Sequence, residues 1–183
     1  MGYDVEGFYE TTRQEGINCG LPMTFMKMGL GTHFAKVEDL IGTILHLANC
    51  NWVAIIGEDT TRAGMGAVTR GLWQCGFSTE VEVSGERKDP SWLNSVTKWV
   101  VDYTENNIFN FAALRSNDQV RFVVSTPEDF ERAKRGFEEL QKLPSIKYIR
   151  YKPDTNLMDK KAVNQLAVEC IDFLKKYDRA RMF

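Results

Sequence analysis

The chain has 183 residues, of which 43% are hydrophobic and 26% charged, and its formal net charge is −2. These values predict one domain spanning residues 1–183, with no excess of positive charge to attract nucleic acid or an anionic membrane. No segment approaches the roughly 18 apolar residues of a membrane span, and the first residues lack the basic and apolar regions of a signal peptide. We therefore expect a cytoplasmic protein.

The apolar spacing along the chain predicts alternating strands and helices. The first strand follows Pro22, carries methionines and phenylalanine, and is preceded by a polar loop flanked by glycines. Residues 29–33 then predict a tight turn into a helix. The later predicted elements are helices over 36–48, 64–75 and 160–176, a helix that starts near Thr126, and strands over 52–56, 79–83, 99–101, 120–124 and 146–151.

The helix near Thr126 has the clearest start signal. Thr126 provides a side-chain cap, Pro127 takes the first position, and Glu128 and Asp129 place acids at the positive end of the helix dipole. The alternation of strands and helices predicts a parallel α/β sheet with right-handed crossovers. Residues 104–118 fit neither pattern, so we consider an exposed loop, a lid, or a contact surface for a second subunit.

The cysteines indicate no metal site. Four cysteines are spread along the chain at intervals of 25 residues or more, namely Cys19, Cys50, Cys75 and Cys170. Iron–sulfur and structural zinc sites normally include a close cysteine pair, because two ligands on one loop lower the entropy cost of assembling the site. We therefore expect reduced, mostly buried thiols that pack as small hydrophobic side chains.

The most informative motif lies near the N-terminus. It reads Phe8-Tyr9-x-x-x-x-Gln14-Glu15-Gly16-x-Asn18-x-Gly20-x-Pro22-x-x-Phe25-x-Lys27. This motif resembles the opening of 7-carboxy-7-deazaguanine synthases, the radical SAM enzymes of queuosine and deazaguanine biosynthesis. In that family the strand leads into a loop whose three cysteines hold a 4Fe–4S cluster. Here Gly29 is followed almost directly by the predicted helix, and the cysteine loop is missing.

The resemblance continues along most of the chain in order and spacing, with altered motifs. Gly57 and Glu58 stand where the family has the G-G-E-P segment that holds the methionine end of SAM, but one glycine and the proline are missing. Residues 76–85 are similar to the family's strand ending in E-T-N-G, with the threonine and asparagine replaced. The family's S-P-K ending near Tyr103 and its closing Q-T-H-K are absent.

The resemblance implies a shortened, partly open (β/α) barrel of radical SAM type with a mainly parallel sheet. Ligand-binding residues of such barrels follow the carboxyl ends of the strands. It also implies that Glu15 lines the substrate pocket, where a carboxylate can accept paired hydrogen bonds from a guanine-like ring. Lys27 replaces the family's arginine and keeps the charge without the bidentate fork. The alternative is that Glu15 caps a loop and Lys27 is a solvated strand end.

Two polar turns complete the predicted site. The turn 60–62 at a helix start and the turn 84–88 can hold phosphate through backbone N–H groups and cations, or can simply be solvated. The predicted ligand-binding residues are Arg13, Gln14, Glu15, Lys27, Gly57, Glu58, Thr60, Thr61, Arg62, Ser84, Arg87 and Lys152. We predict no catalytic residue, no metal site and no iron–sulfur cluster, and we leave SAM binding open.

Three functional hypotheses follow from the missing cluster loop. The first is a non-catalytic binder of a small guanine-like purine or nucleotide, such as a protein of a phage or mobile element that sequesters a host nucleotide. The second is an enzyme, either synthase-like or free of the cluster, with Glu15, Glu58 or Asp59 as acid or base in the same pocket. The third is a structural or regulatory protein. The family's tendency to form homodimers and the aromatic stretch 109–114 favour this third hypothesis.

Overall fold

The computed structural model describes residues 2–177 and 181–183. Its elements are β1 (Tyr3–Thr12), β2 (Pro22–Phe34), α1 (Val37–Leu47), β3 (Trp52–Gly57), α2 (Met65–Gln74), β4 (Ser78–Ser84), β5 (Lys98–Asp102), β6 (Gln119–Val124), α3 (Pro127–Leu140), β7 (Ile146–Tyr151), α4 (Lys160–Leu174) and β8 (Arg181–Met182). Two short 3-10 turns lie at Leu93–Ser95 and Phe111–Ala113. The first of two compact units comprises Met1–Gln14, Asn18–Val83 and Arg87–Val100, and the second comprises Glu15–Ile17, Ser84–Glu86 and Val101–Phe183.

The first unit contains the strands β1, β2, β3 and β4 and the start of β5, in that order. β1 and β2 are antiparallel, and Phe8 lies opposite Met26. β2 pairs with β3 in parallel, and β3 pairs with β4 in the same way. Val53, Ala54 and Ile55 of β3 are fully buried, as expected for a parallel strand that is covered on both faces.

The second unit continues from the end of β5 through β6, β7 and β8. β6 and β7 are parallel, and Val123 lies opposite Arg150. Successive side chains of a strand point to opposite faces, so Arg121 shares a face with Val123 and Phe122 lies on the other face. The Phe122 ring packs against Phe137 of α3 with ring centroids 4.5 Å apart. We call the face of β6 and β7 opposite α3 the charged face, because it carries Arg121 and Arg150.

The two helices of the second unit begin at the residues that carry capping side chains. The Thr126 hydroxyl accepts a hydrogen bond from the Asp129 N–H at 3.3 Å, and the Asp129 carboxylate accepts one from the Thr126 N–H at 3.0 Å. This capping box confirms the predicted helix start. α3 and α4 then pack through Phe137 and Phe173, whose ring centroids are 5.4 Å apart. Burying each such ring stabilises the fold by about 1.5–3 kcal/mol.

The N-terminal hairpin differs from the prediction. β1 was not predicted, and residues 29–33 do not turn into a helix, because β2 continues to Phe34. A bulge explains the extra length of β2: Val5 of β1 lies opposite both Met28 and Thr32 of β2. The pairing with β1 therefore holds the glycine-containing segment in the strand.

The segment 104–118 is a packed part of the second unit. Phe109, Phe111 and Leu114 are buried. The N–H groups of Ile108 and Phe109 both donate to the carbonyl of Gly85, at 2.7 and 3.0 Å. The expectation of an exposed loop is therefore wrong for these three side chains, because they belong to the core of this unit. The lid and the contact surface for a second subunit stay predictions for the segment.

The secondary structure confirms the predicted α/β class. Four of the strand pairs in the described part of the chain are parallel, and only the pair of β1 and β2 is antiparallel among those with a determined register. The strands follow chain order, with β1 and β8 as the terminal strands. No helix within residues 2–177 and 181–183 combines the length and apolar character needed to cross a membrane.

Candidate functional site

The loop between β1 and β2 carries Arg13, which is tied into a buried ionic cluster of the first unit. The Arg13 guanidinium lies 3.0 Å from the Glu80 carboxylate and 2.6 Å from that of Glu82. Asn18 of the same loop donates to Glu80 at 2.7 Å and accepts a hydrogen bond from Lys98. The side chain of Arg13 is only 6% exposed. Arg13 therefore anchors the loop, and its charge is used within the unit.

Glu80 is the most buried acid of this ionic cluster. Its burial raises the pKa of the carboxyl group above its usual value, and the neighbouring Arg13 guanidinium only partly opposes that effect. Gln14, the next residue of the loop, is exposed, and its side-chain amide donates to the Thr12 carbonyl at 3.1 Å. The loop thus presents Gln14 to solvent and buries Arg13.

Gly57 ends β3 in a conformation that requires glycine. Its φ is +96°, and a Cβ at this position would lie 2.3 Å from the Met28 carbonyl oxygen. The Glu58 N–H donates to that same carbonyl at 3.1 Å. Gly57 and Glu58 stand where the resembling family binds the methionine end of SAM, and here the Glu58 N–H is already bonded to the Met28 carbonyl.

The turn 60–62 does not form a phosphate site at a helix start. The Thr60 hydroxyl is buried and donates to the Glu82 carbonyl at 2.7 Å. The Arg62 guanidinium lies over the Tyr3 ring, 5.9 Å from its centroid. Thr61 belongs to the turn, and α2 begins only at Met65. Neither the hydroxyl of Thr60 nor the first turn of the helix is available to an anion in this arrangement.

The cleft beside this turn is small and mostly acidic. Its volume is about 100 Å³, and its charged lining residues are Asp4, Glu58, Asp59 and Arg62. Pockets for small molecules usually measure about 300–1,000 Å³. Three acids against one arginine also repel a phosphate. The end of β3 therefore does not suit a nucleotide.

Glu15 occupies a different environment, on the charged face of the second unit. The Arg121 guanidinium donates to one of its carboxylate oxygens at 2.6 Å, and Nε of Arg150 lies 3.1 Å from the other. Arg121 also donates to both oxygens of Asp102, at 2.5 and 3.0 Å. Two carboxylates and two arginines thus form one continuous network along β5, β6 and β7.

The backbone next to Glu15 fixes the carboxylate in this network. Gly16 has φ +75°, and a Cβ there would lie 2.5 Å from the side-chain oxygen of Gln119. That oxygen accepts a hydrogen bond from the Ile17 N–H at 2.9 Å. The loop residues 15–17 are therefore held on the charged face by β6.

The remaining predicted residues lie at separate positions. Lys27 is 44% exposed, and its ammonium group forms a 2.6 Å ion pair with Glu6, which raises the pKa of Lys27. The Ser84 hydroxyl accepts a hydrogen bond from the Glu86 N–H at 3.2 Å, and Arg87 is exposed in the first unit. Lys152 is exposed directly after β7. Of the predicted residues, Glu15, Ser84 and Lys152 belong to the second unit. Lys152 follows Arg150, the ion-pair partner of Glu15, by two residues.

The cysteines do not suit an iron–sulfur cluster, which requires several thiolates to converge on one site. The Cys19 thiol donates to the Gln14 carbonyl at 3.4 Å, whereas Cys50 contacts Thr24 and Trp52. Cys19 and Cys75 are exposed, and only Cys170 is buried, so the expectation of mostly buried thiols is wrong. No group of three or more potential metal-ligating side chains occurs among the described residues.

The sequence matches no protein-family model and no curated protein. The structure is similar to the crystal structure of QueE from Escherichia coli, with a TM-score of 0.72 and 16% sequence identity over 100% of this chain and 94% of that chain. The fold is QueE-like. The predicted α/β fold with a mainly parallel sheet is therefore confirmed.

On this QueE-like fold, sequence reasoning missed three members of the network: Asp102, Arg121 and Arg150. Each lies in a segment that reads as an apolar strand. The available signal was an arginine inside an otherwise apolar run, as in Val120-Arg121-Phe122. A charged residue at such a position is buried unless the strand has a polar face, so it indicates either an ion pair or a site.

Proposed function

We propose that the protein is a non-catalytic binder of a small guanine-like purine or its nucleotide, held on the charged face of the second unit. The observation that carries this proposal is the Asp102–Arg121–Glu15–Arg150 network. Replacing a buried ion pair by apolar residues is often neutral or stabilising, so stability alone is weak grounds for such a network. A role in ligand binding, which requires charged groups in fixed positions, would explain why these four charged residues are present.

Asp102 is the group that would meet the purine. Arg121 donates one hydrogen bond to each of its oxygens, and the side chain is 28% exposed. A carboxylate offers about four acceptor positions, so about two remain for the ring N–H and amino group of a guanine-like base. Because Arg121 fixes the carboxylate beforehand, little conformational entropy is lost on binding.

Glu15 takes a supporting role in this proposal. Its carboxylate is 8% exposed and faces two arginines, so a base could reach it only by displacing Arg150. Glu15 instead positions both guanidinium groups.

Two observations support a binder without radical SAM chemistry. The chain lacks the three-cysteine loop, and β2 leads into α1 through only two residues, Ala35 and Lys36. The homodimer and the role in sequestering a nucleotide for a phage or mobile element stay predictions.

Calorimetric titration with guanosine tests the proposal. We expect one binding site per chain, and Asp102→Asn should weaken binding at least about tenfold, as expected for a lost charged hydrogen bond. Asp172→Asn is the matched control, because Asp172 is 62% exposed on α4 and pairs with Lys175. Equal affinity of the Asp102→Asn and Asp172→Asn variants would contradict the assigned role of Asp102, and no binding of guanosine, GMP or a deazapurine by the wild type would refute the function.

A further inference from the structure

The charged face has an open cationic end at the carboxyl ends of β6 and β7. Arg150 is 42% exposed, and its Nε lies 3.1 Å from the Glu15 carboxylate. Within the described residues, no partner of the Arg150 guanidinium other than Glu15 is present. Glu15 therefore holds a partly exposed guanidinium, the kind of group that binds oxyanions through paired hydrogen bonds.

Lys152 and Ser125 directly follow the carboxyl ends of β7 and β6. Lys152 follows Arg150 by two residues, and its N–H donates to the Val124 carbonyl at 2.9 Å, so the parallel pairing extends past the end of β7. Side chains two residues apart in a strand share a face and lie about 6.5–7 Å apart along it. Neither the Lys152 ammonium nor the Ser125 hydroxyl has a partner among residues 2–177 and 181–183.

The nearby acids are already engaged. Asp129 accepts hydrogen bonds from the Ser125 and Thr126 N–H groups at 3.0 Å each and pairs with Arg132. The Asp154 carboxylate accepts a hydrogen bond from the Asn156 N–H at 2.9 Å. The two backbone N–H groups just before α3, those of Ser125 and Thr126, are thus used by Asp129. The donors left open are those of Arg150, Lys152 and Ser125.

We propose that Arg150, Lys152 and Ser125 form a phosphate subsite, so that the ligand is a purine nucleotide and not a free base. This proposal rests on the proposed function for the purine part of the ligand. A planar guanidinium that donates two parallel hydrogen bonds, a mobile ammonium and a hydroxyl together match the three oxygens of a phosphate monoester.

The test compares guanosine, GMP and inorganic phosphate in calorimetric titrations of the whole protein. We expect GMP to bind at least about tenfold more tightly than guanosine, and Arg150→Gln and Lys152→Gln each to remove most of this difference. Lys175→Gln is the control, because Lys175, directly after α4, is 69% exposed. The preference for GMP should also decrease at high salt.

The outcomes separate the subsite from the proposed function. Equal binding of GMP and guanosine by the wild type, or a GMP preference that survives both substitutions, would overturn the phosphate subsite and leave the purine binder standing. Binding of inorganic phosphate that Arg150→Gln abolishes, without binding of guanosine, would support the subsite and refute the purine function. Because both side chains are partly or fully exposed, neither substitution is expected to prevent folding.

Discussion

Replacing Glu15 by alanine would remove the central carboxylate of the charged face. The side chain is 8% exposed, accepts a hydrogen bond from Arg121 at 2.6 Å and pairs with Arg150 at 3.1 Å. The Arg121 side chain is 6% exposed, so bulk water cannot replace the lost partner, whereas Arg150 is 42% exposed and can be hydrated. The cost of the substitution therefore falls mainly on Arg121.

The expected loss of stability depends on the hydrogen bonds that Arg121 retains after the substitution. Breaking a buried ion pair costs about 3–5 kcal/mol when a charge is left without a partner. Arg121 retains two hydrogen bonds to Asp102, so we expect the loss of one charged hydrogen bond, about 1.5–3 kcal/mol. For a chain of this length, that loss lowers Tm by about 3 to 12 °C.

Scanning calorimetry and urea unfolding of the two proteins measure this effect. The matched control is Glu131→Ala, because Glu131 is 59% exposed and pairs with Lys134 on the surface of α3. We expect the control to change the free energy of unfolding by no more than about 0.5 kcal/mol. If Glu15→Ala lowered Tm no more than the control, the carboxylate would not be coupled to Arg121 and the reasoning would be refuted.

Three further predictions concern single residues. Burial raises the pKa of Glu80, so its ionisation costs more in the folded than in the unfolded state. The stability of Glu80→Gln relative to wild type should therefore increase as the pH rises above about 4.3, the usual pKa of a glutamate, and a decrease would contradict this. Gly57→Ala should lower the free energy of unfolding by about 1–3 kcal/mol, because Gly57 has φ +96° and no room for a Cβ. The control, Gly42→Ala within α1, should raise the free energy of unfolding by up to about 1 kcal/mol. Equal effects of the two substitutions in urea unfolding would argue against backbone strain at Gly57. Burial raises the pKa of the Cys170 thiol to about 11, so alkylation near neutral pH should modify the exposed Cys19 before Cys170. Mass spectrometry follows the two modifications, and equal alkylation rates of Cys19 and Cys170 would refute the burial of Cys170.

Parts of the fold that depend on local sequence could be predicted. The start of α3 was predicted because Thr126 and Asp129 lie in one turn and cap each other. β1 and the extension of β2 were not, because Tyr3 pairs with Phe34 across a bulge that no local pattern reveals. Two glycines in β2 were read as a turn, although the bulge with β1 accommodates them.

The candidate site was predictable only in part. Glu15 was found through a motif, but its partners Arg121 and Arg150 lie more than a hundred residues further along the chain. Which distant side chains meet on one face depends on strand register, and register is set by the pairing of β6 and β7. Sequence reasoning therefore identified the carboxylate and Lys152 but not the arginines between them.

Native mass spectrometry after incubation with guanosine, GMP and GTP tests the central proposal most directly. We expect one guanine compound to be retained per chain, with a nucleotide preferred, and the compound released on denaturation to have its original mass. Retention of no guanine compound, or release of a chemically altered one, would contradict a non-catalytic purine binder.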